Sequence, residues 1–195
     1  MLIVGTDGPA VETELRDGRL RCPVCGESLR PWGHSVEREV RLLDRTERRR
    51  FRRSICRSCP GTHVLVPEDT LVRRRDAGEV IGIALTMRAR GRGHRKISDG
   101  LDRPASTVRG WLRRFTRLAT RVREHFTRWA HALDPGHDRL FAGGGSEFRD
   151  AVEAIGVLGV VAVRRFGPKP VWSLACVVTG GQLLSNTSSP WAQPV

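Results

Sequence analysis

GHRKISDGLDRPASTVRGWLRRF, residues 93–115, reads as two short helices meeting at a sharp corner. Ile97 and Leu101 lie four apart, on one face of a first helix. Asp102-Arg103-Pro104 cannot continue it, because proline pushes the residue before it out of the helical region. Pro104 suits the start of a second helix, where its missing N–H leaves no hydrogen bond unmade. Val108, Trp111, Leu112 and Phe115 then form the apolar face of that helix. Ser106, Arg109, Gly110, Arg113 and Arg114 are left pointing outward. A polar, basic second helix after a tight corner is the geometry that a helix-turn-helix lays in the major groove of DNA. The plainer alternative is a helical hairpin with a solvated basic face.

The charge distribution favours the first reading. The chain has 195 residues and a formal net charge of +13. Residues 1–70 carry 13 basic and 11 acidic side chains, residues 71–133 carry 16 and 5, and residues 134–195 carry 5 of each. Nearly all the excess falls on the segment with the two-helix pattern. Charge that serves only solubility is spread out; a surface facing phosphate is concentrated. Lys96 and Lys169 are the only lysines, so 32 of the 34 cations are arginines. Arginine suits bidentate contacts to phosphate and guanine, although a GC-rich genome also enriches it.

Two cysteine pairs, Cys22-Pro-Val-Cys25-Gly and Cys56-Arg-Ser-Cys59-Pro-Gly, have zinc-knuckle spacing. The tight turn lets both thiolates and nearby backbone N–H groups face one ion. The 30 residues between the pairs can hold a hairpin, with Val36–Leu43 and Arg50–Ile55 as strands around Asp44–Glu47. The alternative, buried free cysteines, is disfavoured because so small a segment makes little core without a staple. His34 and His63 lie near, but four thiolates already complete a tetrahedron. The run Arg48–Arg53 reads as a second phosphate contact or as a solvated strand face. No secretory signal or apolar run of membrane-spanning length is found, the longest being Ala154–Val163. A cytoplasmic location is the expectation, and there paired cysteines bind metal more often than they form disulfides.

Before the ribbon come a short strand and a polar helix, Pro9–Arg16. After it, Asp76 is placed to cap a helix, with Glu79 at the capping-box position and Val80, Ile81, Ala84 and Leu85 as its apolar face. With the two helices after it, this makes a three-helix unit. The last of these has no glycine or proline between Gly110 and Asp134-Pro135-Gly136, and Val108 to Leu133 repeat apolar residues in steps of four and three. It is expected to run as one long helix. Ser146 caps a further helix ending at Gly167-Pro-Lys-Pro170, and Val171–Leu184 is a last apolar helix. The twelve-residue loop Asp134–Gly145 is expected to let the helix at Ser146 fold back antiparallel on its predecessor.

The combination of CPVCG, CRSCPGTHVLVP, a basic linker and the 93–115 stretch resembles a bacterial family that joins a zinc ribbon to a helix-turn-helix. Its modules look like the N-terminal DNA-binding parts of insertion-sequence transposases. Many such motifs have a glycine and an apolar residue in the turn; here Asp102 and Arg103 stand there, which predicts a less tightly packed corner. The expected fold class is mainly α, with a small β zinc ribbon at the N-terminus and a helix-turn-helix core followed by C-terminal helices. The expected domains are a ribbon over 1–70, a helix-turn-helix with a long third helix over 71–133, a helical hairpin over 134–185 and a disordered tail over 186–195.

A transposase catalytic core needs carboxylates on a sheet holding metal ions. The roughly 60 residues after Leu133 read as helices, and acidic residues in a first helical turn are explained by the helix dipole. The expected function is therefore non-catalytic, sequence-specific binding of double-stranded DNA, as a regulator or a transposase-derived accessory protein, with homodimerisation giving two half-sites. Zinc is expected on Cys22, Cys25, Cys56 and Cys59, and DNA contacts on Arg95, Lys96, Ser106, Thr107, Arg109, Arg113 and Arg114. The alternative is a zinc-ribbon module that binds protein or RNA.

Overall fold

The computed structural model describes residues 1–136, 145–185 and 191. The N-terminal half opens with strand β1 (Leu2–Val4) and helix α1 (Gly8–Arg16), which Asp7 caps by accepting from the Ala10 N–H. Strands β2 (Leu29–His34), β5 (Arg52–Cys56) and β6 (Thr62–Pro67) join β1 in a mixed sheet of order β1-β6-β5-β2. β1 runs parallel to β6, and the other pairs are antiparallel. This layer buries a small core of Val4, Val11, Leu15, Leu29 and Leu65 together with Cys22 and Cys56.

The expected strands between the cysteine pairs are placed differently. β3 (Arg38–Arg41) and β4 (Thr46–Arg49) form a separate two-stranded sheet turning at Leu43-Asp44. The arginine run is therefore split between β4 and β5 rather than lying on one strand. Between them Phe51 is buried, and both Phe51 and Val40 of β3 enter the core of the helical half. Four of the five arginines of the run meet carboxylates. Arg49 meets Asp69 at 2.8 Å, Arg52 meets Glu12 at 2.8 Å, and Arg48 and Arg50 approach Glu37 at 3.9 and 3.8 Å.

The helical half holds α2 (Gly78–Ala89), α3 (His94–Leu101), α4 (Ala105–Leu133), α5 (Glu147–Phe166) and α6 (Val171–Val178). The uninterrupted 29-residue α4 is as its apolar rhythm requires. α5 does not fold back antiparallel. Phe148 at its start stacks edge-on with Phe115 at 4.8 Å, and Arg164 near its end reaches Asp134 at 3.7 Å. Both helices therefore run the same way. The end of α4 and the start of α5 thus lie about 28 Å apart along α4, and twelve residues reach at most about 40 Å. A loop of that length permits either direction; burial of Ala151, Ala154, Ile155, Leu158 and Ala162 against the rest of the core selects this one. The glycine-rich loop lies largely, and the expected disordered tail almost wholly, outside the described residues.

α6 ends at Val178, not Leu184, and lies in a groove on α2. Trp172 covers Gly82, and Cys176 faces Gly78, where an added Cβ would stand 2.7 Å from the sulfur. Beyond it, Gly181 accepts from the Val72 N–H at 2.8 Å and Leu184 accepts from Arg74, which ties the C-terminal segment to the strap leading into α2.

His125 of α4 is 1% exposed and donates from Nε2 to the Val178 carbonyl at 2.8 Å. Its Nδ1 is buried with no hydrogen-bond partner among the described residues. Burial, with a smaller contribution from Arg128, holds its pKa below the ordinary 6.5. The unfolded chain therefore takes up a proton that the folded chain refuses, so stability falls as pH drops below about 6.5. His125→Gln, which keeps an N–H for Val178 but cannot titrate, should flatten the loss of stability between about pH 7.5 and 5.5 by up to one proton's worth of slope, about 1.4 kcal/mol per pH unit. Urea midpoints of the two proteins across that range measure the difference. Parallel curves would show that His125 does not contribute.

The expected fold class is corrected by these elements. Six helices cover only about half of the described residues, and the N-terminal half is a mixed four-stranded sheet with a second two-stranded sheet beside it. The chain is α+β, and its centre is the packing of α4 on α5, α3 and α2, with α6 against α5 and α2 and with Val40, Phe51 and Val66 of the β half in the same core. A core built on a helix-turn-helix is not what organises it. The physical reason is that the apolar face of α4 extends through Val122, Phe126 and Ala130, well past the corner, and that length requires α5 as a cover.

Candidate metal centre and basic helical surface

Two tight turns present the cysteines. Cys22 and Cys25 sit on the turn between α1 and β2, where the Cys22 N–H donates to Glu27, the Gly26 N–H donates to Cys22 at 2.9 Å, and Gly26 takes φ +76°. Cys56 ends β5 and Cys59 lies in the turn into β6, closed by the Cys56 N–H on the Gly61 carbonyl at 2.9 Å. All four Sγ atoms lie within 4.8 Å of one another; Cys22 and Cys59 are 3.8 Å apart, Cys25 and Cys56 3.4 Å. A tetrahedron with metal–sulfur bonds of about 2.3 Å has edges of about 3.8 Å, so the four sulfurs fit one ion. The backbone N–H groups of Cys59 and Ser58 point at the Cys56 sulfur and hold its pKa down at about 6, which favours the thiolate a metal needs.

His63 is 6% exposed, with Nε2 3.4 Å from the Cys22 sulfur. Gly61 fits closely there: a Cβ would stand 3.2 Å from both Cys59 Sγ and His63 Nε2. His34 is at the far end of β2, paired with Arg52 and exposed, away from the cysteines.

The corner between α3 and α4 is held more firmly than its residues suggest. Asp102 adopts the left-handed conformation, φ 51°, and closes α3. Arg103 turns inward, donating to Asp76 at 2.7 Å, to the Leu101 and Asp102 carbonyls and to the Leu42 carbonyl at 2.7 Å. Ser98 donates to the Arg103 carbonyl. Asp76 is thus a buried partner of Arg103 and not a helix cap; the N-cap of α2 is Ala77, without a side-chain hydrogen bond. Sequence reading missed this bracket because its two members are 27 residues apart.

Around that corner exposed cations outnumber the exposed carboxylates of Asp99 and Asp102. Arg95 and Lys96 are exposed on α3, and Ser106, Arg109 and Arg113 on α4, with Thr107 half-buried in the first turn. Arg109 Nη2 lies 3.3 Å from His94 Nε2, which joins the starts of the two helices. Arg114 differs: it is half-buried, donates to the Gly110 carbonyl at 3.2 Å and stands near Arg74. Arg90 and Arg92, before α3, and Arg117, one turn beyond Arg113, add exposed cations that were not among the expected contacts. Among the described residues, Arg92, Arg95, Lys96, Arg109, Arg113 and Arg117 form no ion pair with a carboxylate. The contrast with the N-terminal half, whose arginines are mostly paired, sharpens the asymmetry seen in the net charge.

No family model, curated protein or solved structure matches the chain. Among the described residues, no helix is long and apolar enough to cross a membrane.

Proposed function

We propose that this is a non-catalytic protein that binds double-stranded DNA through the α3–α4 corner, with a structural zinc ion on Cys22, Cys25, Cys56 and Cys59. The observation that carries the reading is the cluster of exposed, unpaired cations at that corner, beside a β half that neutralises its own. Unpaired guanidinium groups concentrated on one surface serve a polyanion better than they serve stability. Arg109 and Arg113, one turn apart on α4, approach base edges. Arg95, Lys96 and Arg92 hold phosphate, with Ser106 and Thr107 at the helix start. Arg114, folded back on its own helix, has a lesser part. The motif resemblance to DNA-binding modules of insertion-sequence transposases agrees with this reading, as do four sulfurs at tetrahedral spacing with zinc, which prefers such a donor set. A structural zinc with four thiolates keeps no open position, so the ion supplies folding energy rather than a Lewis acid.

A second reading has its own support. Val24 at the first knuckle is 75% exposed and Trp32 on the edge strand β2 is 53% exposed, a surface suited to a protein or RNA partner. Binding of the full chain to random duplex DNA, with RNA as competitor, separates the two. In the DNA reading, Arg109→Ala and Arg113→Ala each lose about 1–3 kcal/mol of discrimination for the selected sequence. Lys96→Ala weakens all sequences alike and lowers the salt slope by about one. Unchanged affinity and sequence preference in the Arg109→Ala, Arg113→Ala double variant would exclude this corner as the interface.

A further inference from the structure

We propose that the chain forms a two-fold dimer through the outer face of α5, with the two copies of that helix antiparallel. α5 buries Ala151, Ala154, Ile155, Leu158 and Ala162 toward the core. Its opposite face carries Glu153, Gly156, Val160, Val163 and Arg164; Val160 is 45% and Val163 42% exposed. An exposed glycine in mid-helix costs about 1 kcal/mol relative to alanine. The glycines at 78, 82 and 159 are accounted for inside the chain, because an added Cβ would run into Cys176, Trp172 or Val171. At Gly156 a Cβ would meet nothing within 4 Å. Gly156 is thus a hollow, four residues before the projecting Val160.

This face is complementary to itself. A two-fold axis passing the helix near residue 158 sets each Gly156 hollow against the other copy's Val160, and each Glu153 beside the other copy's Val163 and Arg164. Glu153 has no ion-pair partner among the described residues, and Arg164 has only Asp134 at 3.7 Å, with its side chain 66% exposed. A parallel pair would instead put Glu153 beside Glu153 and Arg164 beside Arg164. Apolar centre and opposite charges at both ends, mirrored about one midpoint, are what an isologous interface needs. They point to a second copy of this chain rather than to an unrelated partner. The inference stands independently of nucleic-acid binding.

Analytical ultracentrifugation of the full, metal-containing chain tests it. The wild type is expected to sediment as a dimer of 21.8 kDa chains. Val160→Arg should be monomeric with an unchanged circular dichroism spectrum and metal content. Gly156→Ala should stabilise the isolated fold through its better helix propensity while weakening the dimer. Glu153→Arg should weaken association by about three- to tenfold, and adding Arg164→Glu to the same chain should restore it. A wild-type chain that stays monomeric at high micromolar concentration overturns the proposal. So does a dimer indifferent to Val160→Arg, and failure of the charge exchange to rescue overturns the antiparallel register.

Discussion

Replacing Cys56 with serine is expected to release the metal and unfold residues 20–66 while leaving the helices in place. The β half has few means of holding itself together. Its own core contains five apolar side chains besides Cys22 and Cys56, so these two sulfurs are both candidate ligands and part of the packing. Structural zinc in such modules supplies about 10–16 kcal/mol of folding free energy, more than a core of that size yields. The helical half is organised by a far larger core, from Val80 to Leu184, to which the β half adds Val40, Phe51 and Val66 at one side. The variant should therefore keep most of its helical signal, lose one equivalent of metal by elemental analysis, and become cleavable by protease between about residues 20 and 66. A chelator should reproduce all three changes in the wild type. A Cys56→Ser protein that retains one zinc per chain and resists protease would falsify the assignment.

Arg103→Met is expected to destabilise the whole protein by about 3–5 kcal/mol, because it leaves the Asp76 carboxylate buried without its cation. Both side chains are almost wholly enclosed, 11% and 7% exposed. The same substitution removes donors from the Leu42, Leu101 and Asp102 carbonyls, so the α3–α4 corner loses its tie to β3 and to the strap before α2. The double variant Arg103→Met, Asp76→Leu should recover a large part of the loss, since an apolar pair of similar volume carries no unpaired charge. Denaturant unfolding of the three proteins measures this. A loss below about 1 kcal/mol in the single variant would mean that water reaches Asp76 and the bracket is ornamental.

Much of this protein could be read directly from its residues. Each Cys-x-x-Cys turn is local and brings its own two sulfurs together, with Gly26 in the left-handed region at φ +76° and Gly61 close to Cys59 Sγ and His63 Nε2. The corner at Asp102-Arg103-Pro104 and the unbroken α4 follow from proline chemistry and apolar periodicity, which also act over a few residues. The charge asymmetry between residues 1–70 and 71–133 is visible in the composition. What only the tertiary structure settled is every pairing across distance. The mixed sheet, with β1 parallel to β6 across some sixty residues, turns an expected mainly α protein with a small β ribbon into an α+β one. Asp76 reads locally as a cap and is in fact the partner of Arg103, because a charge-assisted bond to a guanidinium is stronger than one to a backbone N–H. The same limit holds for α5. An apolar rhythm states that a helix has a face to bury, and twelve loop residues allow it to arrive from either end. Its direction along α4 was selected only by how Phe148, Ile155 and Leu158 fit the core shared with α2 and α6.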